Sequence, residues 1–209
     1  ECGGELFVLD DGWFGKRNDD HAGLGDWVAN PERLPNGIKG LSERIEAMGI
    51  KFGLWFEPEM TNKDSDLYRA HPDWILHTPG RNTSHGRYQY VLDFSRKEVV
   101  EYIYEMMAKI LSEAKVSYIK WDMNRSITEC YSVALPADRQ GEVFHRYILG
   151  VYDLYERLTS EFPEVLFESC SSGGGRFDPG MLYYAPQGWT SDDSDAIERL
   201  KIQYGTSLC

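Results

Sequence analysis

Lys120 and Asp122 stand two positions apart in the run Tyr118-Ile119-Lys120-Trp121-Asp122-Met123. Side chains alternate along a β-strand, so Tyr118, Lys120 and Asp122 share one face while Ile119, Trp121 and Met123 share the other. An ammonium beside a carboxylate favours the ionised acid, which suits a nucleophile or an anionic binder. A structural ion pair at a strand end is the plainer alternative, and the stretch alone does not separate the two.

Other short apolar runs also finish in acids. Glu5 to Asp11 ends in Asp10 and Asp11, Lys51 to Glu57 in Glu57 and Glu59, Val165 to Glu168 in Glu168, and Tyr183 to Trp189 in Asp192 and Asp193. Between them lie segments of helical period: Leu41, Ile45 and Met48; Val99, Ile103, Met107, Ile110 and Ala114; Val143, Tyr147, Val151, Leu154 and Leu158; and Ile197 to Leu208. A further short helix is expected around Asp66 to His71, an irregular stretch from Pro72 to Arg87, a strand at Tyr90 to Phe94, and a capping box at Ser95 to Glu98. Strand and helix alternating in this way predict an α/β fold with a parallel sheet. The ends of parallel strands share one edge, which in a (β/α)8 barrel carries the active site. Five strands make a partial (β/α)8 barrel, since a closed one takes eight and about 250 residues.

A ring of carboxylates binds metal, cleaves glycosidic bonds, or hydrogen-bonds a polyol. The five histidines are scattered, without the paired spacing of a zinc site, so no metal and no cofactor are expected, with an all-oxygen magnesium site as a secondary reading. Glycoside hydrolysis needs two carboxyl groups flanking one bond and no metal. Asp122 and one of Asp192 to Asp195 supply such a pair, with the crowding of acids after Trp189 expected to favour a protonated one. Trp13, Trp27, Trp55, Trp74 and Trp189 offer flat platforms for a sugar, although a buried Trp is usually core. Gly173 to Gly175 lacks the spacing of a phosphate loop and reads as a tight loop with close backbone approach.

Composition agrees with a neutral ligand. The 209 residues carry 34 acidic and 22 basic side chains, a formal net charge of -12, which disfavours nucleic acid and anionic membranes as partners. At 42% hydrophobic and 13% aromatic the chain is globular. No apolar run reaches the ~20 residues of a membrane span, and no signal-peptide pattern opens the chain. Cys2, Cys130, Cys170 and Cys209 have neither redox nor metal spacing, so reduced thiols and a cytoplasmic location are the expectation.

The motifs Leu9 to Gly15 (LDDGWFG), Leu54 to Met60 (LWFEPEM), Tyr118 to Arg125 (YIKWDMNR), Glu168 to Asp178 (ESCSSGGGRFD) and Trp189 to Gly205 together resemble the α-galactosidases of glycoside hydrolase family 36. The resemblance runs through nearly the whole chain in the family's order, with Ser194 where threonine is usual. It implies a retaining double displacement with Asp122 as nucleophile and Asp192 as acid and base. It implies that Asp10 and Asp11 hold the galactose 4- and 6-hydroxyls, and that Trp55, Arg87, Lys120, Cys170 and Gly173 line the sugar subsite. The substrates implied are oligosaccharides such as melibiose and raffinose, in a parent protein that is a homo-oligomer.

The same resemblance makes residues 1–209 the central part of a catalytic barrel whose remaining strands and flanking β-domains are absent, a piece expected to be unstable or inactive by itself. Two other functions stay open at this level. One is galactosyl transfer of the raffinose-synthase type, and the other a barrel that binds sugar without catalysis.

Overall fold

A computed structural model describes residues 3–208, so Cys2 and Cys209 lie outside the described residues. Five parallel strands form one open sheet in chain order: β1 (Leu6–Leu9), β2 (Lys51–Phe56), β5 (Tyr118–Trp121), β6 (Leu166–Ser169) and β7 (Gln187–Gly188). β3 (Met60–Asn62) and β4 (Gln89–Val91) form a separate antiparallel pair. Helices α1 (Gly37–Glu46), α3 (Lys97–Glu113) and α4 (Val143–Glu161) join successive strands of the large sheet. Short α2 (Asp66–Ala70) lies in the β3–β4 excursion, α5 (Pro179–Tyr184) precedes β7, and α6 (Ala196–Thr206) follows it. This is the α/β architecture of a partial (β/α)8 barrel, with all five strand ends on one edge.

The register fixes which residues share a face. Trp55 pairs with Lys120 and Lys120 with Glu168, while Leu54, Ile119 and Phe167 form the neighbouring row. Ile119, Trp121 and Phe167 are buried under the helices, with the Trp121 ring stacked on Tyr155 of α4 at 4.0 Å. The five apolar positions read as the face of α4 are all fully buried. In α3, Val99, Ile103 and Met107 are buried as expected. α4 crosses the chain so closely at Gly150 that a Cβ there would stand 1.9 Å from the Phe94 carbonyl oxygen.

Four local expectations are corrected. Met48 is 63% exposed, because α1 ends at Glu46 before the next turn of the apolar stripe, and Gly49 follows at φ 77°. No capping box forms at α3; Ser95 Oγ donates to Asp93 at 2.5 Å and Arg96 pairs with Glu98. Tyr183 and Tyr184 are helical, since the Asp178 carboxylate caps the Gly180 and Met181 N–H groups and Pro179 opens α5, leaving β7 only Gln187–Gly188. The strand expected at Tyr90 to Phe94 is β4 at Gln89–Val91, paired with a β3 of only three residues and no readable alternation, and the irregular stretch before it opens with a 3-10 turn at Pro72–Trp74.

Gly150→Ala is expected to destabilise the fold by about 2 kcal/mol, because the clash is with backbone that side-chain rotation does not relieve. Thermal unfolding checks it, and an unchanged midpoint contradicts the close crossing.

Candidate active site

Asp122 follows β5 directly and is 6% exposed. Its Oδ1 accepts the Met123 N–H at 2.9 Å, and its Oδ2 accepts the Trp55 indole N–H at 3.1 Å. The Cys170 thiol, just past β6, faces the same carboxylate. Burial and the Asp122 charge push that thiol up to about 12, so it stays protonated. Residues from β2, β5 and β6 thus meet on one carboxyl group.

Lys120 does not pair with Asp122. Its Nζ reaches Asp10 Oδ2 at 3.0 Å, across the end of β2, and lies 5.3 Å from the centre of the Trp189 ring. Burial opposes the ammonium charge, but the hydrogen bond and charge of Asp10 outweigh it and hold its pKa above the ordinary lysine value. Asp11 is gripped through two oxygens by Arg17, at 2.9 and 2.7 Å, and Arg17 is itself buried.

Trp189 connects the last predicted acid. Its indole N–H donates to Asp192 Oδ1 at 2.8 Å, and Arg199 covers its ring at 5.2 Å. The neighbouring acids have local duties: Asp193 accepts the Asp195 N–H, and Asp195 caps α6 through Ile197 and Glu198. Asp192 is therefore the acid of this segment that faces a site aromatic, a distinction that spacing alone did not make. Gly173, at φ 87°, lets its loop pack against the same segment, since a Cβ would meet Ser191 Cα at 2.9 Å.

The contacts fall into two groups: Trp55 and Cys170 around Asp122, and Asp10, Lys120, Trp189 and Asp192 in a chain that Asp11 joins through its neighbour Asp10. Arg87 is exposed on the turn before β4 and makes no hydrogen bond or ion pair among the described residues. Of the five Trp platforms, Trp13, Trp27 and Trp74 are core, Trp55 is buried but offers its N–H, and Trp189 is half-buried.

Two strand-end acids prove to be unlike the others. Glu59 is fully buried and bound by Arg176 at 2.7 and 2.9 Å, by Trp121 Nε1 at 2.9 Å and by the Tyr147 hydroxyl. Burial opposes its charge, yet Arg176 and these donors keep its carboxyl below the ordinary value. Glu57 is equally buried but has no ion pair among the described residues. It accepts Gln89 Nε2 at 2.9 Å and the Asn124 N–H. Burial first, then the charge of Asp122, pushes it up to about 7. Sequence reading placed both acids on the edge but passed over Arg17, Asn62, Gln89 and Arg176, whose types usually lie on the surface and which no local spacing marks as buried.

A parallel α/β sheet whose strand ends carry a buried carboxylate, a second acid on an aromatic ring and several paired charges is the segment of a (β/α)8 barrel with its acids on one edge. The Melibiase family model matches residues 1–209, and the chain belongs to that family. The α-galactosidase AgaA of Geobacillus stearothermophilus is 60% identical over 208 residues, which are 100% of this chain and 28% of that protein. Mel36A, an α-galactosidase of Lactobacillus acidophilus, is 57% identical over 208 residues, with the same shares. The crystal structure of an AgaA variant in complex with raffinose matches at TM-score 0.95 and 59% identity over 98% of this chain and 28% of that one. The chain thus spans between a quarter and a third of these relatives.

The Glu57 pKa lies above its ordinary 4.5, so the folded state holds this proton more tightly than the unfolded one. Ionisation of Glu57 accordingly takes stability from the fold as pH rises from about 4.5 to about 7, by roughly 3 kcal/mol. Glu57→Gln imitates the protonated acid, so the variant is expected to gain stability over wild type at pH 8 and little at pH 4.5. Denaturant unfolding at the two pH values measures this; a difference independent of pH contradicts the assignment.

Proposed function

We propose that the protein containing this chain is a retaining α-galactosidase that removes terminal α-galactosyl groups from oligosaccharides by double displacement. The observation that carries the reading is Asp122, a buried carboxylate held by the Trp55 indole and the Met123 amide, on the same strand-end edge as a second acid, Asp192, held on Trp189. Asp122 attacks the anomeric carbon while Asp192 gives its proton to the departing glycosidic oxygen. Asp192 then takes a proton from water, the water attacks the same carbon, and the Asp122 ester bond breaks. Trp55 and the Met123 amide hold the attacking carboxylate in one orientation, so little reorganisation accompanies attack.

Asp10 and Asp11 accept hydroxyl protons of the galactose, each held in place by its cation, Lys120 or Arg17. Arg87, Cys170 and Gly173 complete the subsite in this reading. Raffinose and stachyose, bound in the crystal structures of AgaA variants, support oligosaccharides of this kind as the substrates in this reading. These 209 residues then form the middle of the catalytic barrel in a larger, oligomeric enzyme.

The test is hydrolysis of an aryl α-galactoside beside the matching α-glucoside, by the full natural polypeptide that contains this chain. Selective release from the galactoside is expected, with Asp122→Asn inactive. Asp192→Asn is expected to lower kcat by ~10²–10⁴-fold on raffinose and by less on an aryl galactoside, whose leaving group needs less help from an acid. Folded protein active on neither substrate overturns the proposal.

A further inference from the structure

Between Gly86 and Gln89 the chain reverses through two consecutive left-handed residues, Arg87 at φ 52° and Tyr88 at φ 59°. The Gln89 N–H closes the turn on the Gly86 carbonyl at 2.9 Å. Positive φ at both central positions is type I′ geometry, which asparagine and glycine adopt readily and tyrosine does not. Its surroundings hold it there. Asn62 Nδ2 donates to the Tyr88 carbonyl at 3.0 Å, and Arg125 Nη1 donates to the carbonyls of Ser84 at 3.1 Å and Gln89 at 2.8 Å. Strain maintained by its neighbours marks positions where the side chain has work to do.

The same tethers locate the turn. Asn62 Oδ1 accepts from Arg17, the partner of Asp11, and Arg125 lies in the loop that follows Asp122. The turn therefore stands on the rim between the loops that carry Asp11 and Asp122. Tyr88 is 47% exposed there. Its ring is braced by His21, with centroids 3.6 Å apart, and by His85, at 5.2 Å and nearly parallel.

We propose that Tyr88, braced by His21 and His85, is the platform for the sugar on the leaving-group side of the scissile bond, stacking on the C–H face of a pyranose ring. The proposal rests on the α-galactosidase reading and adds to it the residue that distinguishes an oligosaccharide from bare galactose. A flat, half-exposed ring with one hydroxyl suits a pyranose, whose faces are apolar and whose rim is polar. The strain then has a purpose, because asparagine would relax the backbone and remove the ring.

Tyr88→Asn is the informative variant, since it keeps the left-handed turn. Raffinose and galactose binding are measured by calorimetry in the Asp122→Asn background of the full natural polypeptide, with thermal unfolding of each variant. The ratio of raffinose to galactose affinity is expected to fall about fivefold to tenfold, with a melting temperature equal to or above that of the Tyr88 form. Tyr88→Phe is expected to restore most of the ratio. An unchanged ratio overturns the proposal, and so does equal weakening of both ligands with a lower melting temperature, which marks a structural residue.

The two readings fail separately. A wild-type protein that does not hydrolyse galactosides, yet binds raffinose in a Tyr88-dependent way, refutes the activity and supports the platform. Normal hydrolysis with Tyr88-independent raffinose binding refutes the platform alone. If the Tyr88 form binds neither sugar, both are overturned.

Discussion

A carboxylate held almost dry at the end of a parallel strand is the constraint around which this structure is arranged. Moving a charge out of water costs several kcal/mol unless donors replace the solvent. At Asp122 the replacements are the Met123 amide and the Trp55 indole, with the neutral Cys170 thiol alongside. They come from three adjacent strands, so the β2–β5–β6 register determines whether the carboxylate is satisfied. A shift of one residue would turn Trp55 to the helix side and leave Asp122 without its indole. Below it, Arg176 reaches from the loop after β6 to Glu59 after β2 and ties the same strand ends together. Breaking a buried pair of that kind costs about 3–5 kcal/mol, so the base of the site is stiff.

The surplus of acids is resolved individually at the site. Asp11 has Arg17, Asp10 has Lys120 and Glu59 has Arg176. Glu57 has no such cation and takes up a proton in the neutral range instead. That leaves Asp122 with neutral donors, so its negative charge is not spent on a salt bridge. Asp193 and Asp195 are absorbed by local turn and cap hydrogen bonds. The segment after Trp189 therefore contains three chemically similar carboxylates, Asp192, Asp193 and Asp195, with different duties, separated by what each touches.

Much of this was legible beforehand because it follows from period. Alternation placed Lys120 and Asp122 on one face, and the helical stripes of α3 and α4 were visible in their apolar positions. Strand ends rich in acids located the site edge. What alternation does not contain is partnership across the sheet. It put Lys120 beside Asp122, whereas the shorter path in three dimensions runs to Asp10. It gave Glu57 and Glu59 one label, although Arg176, far along the chain, makes one of them a core ion pair. Local capping defeated the expected long fifth strand, since Asp178-Pro179 starts a helix more decisively than two tyrosines start a strand. The turn at Arg87 and Tyr88 was invisible for the opposite reason: neither residue type favours the left-handed backbone that its tethers impose.

The central claim is that Asp122 forms a bond to the sugar during turnover. Rapid-quench mass spectrometry of the full natural polypeptide, saturated with an α-galactoside whose good leaving group makes the second step limiting, tests it directly. The account predicts one hexosyl unit on the peptide containing Asp122, absent in Asp122→Asn. An active enzyme that accumulates no adduct while releasing the inverted anomer, or one that carries the adduct on a different residue, contradicts it.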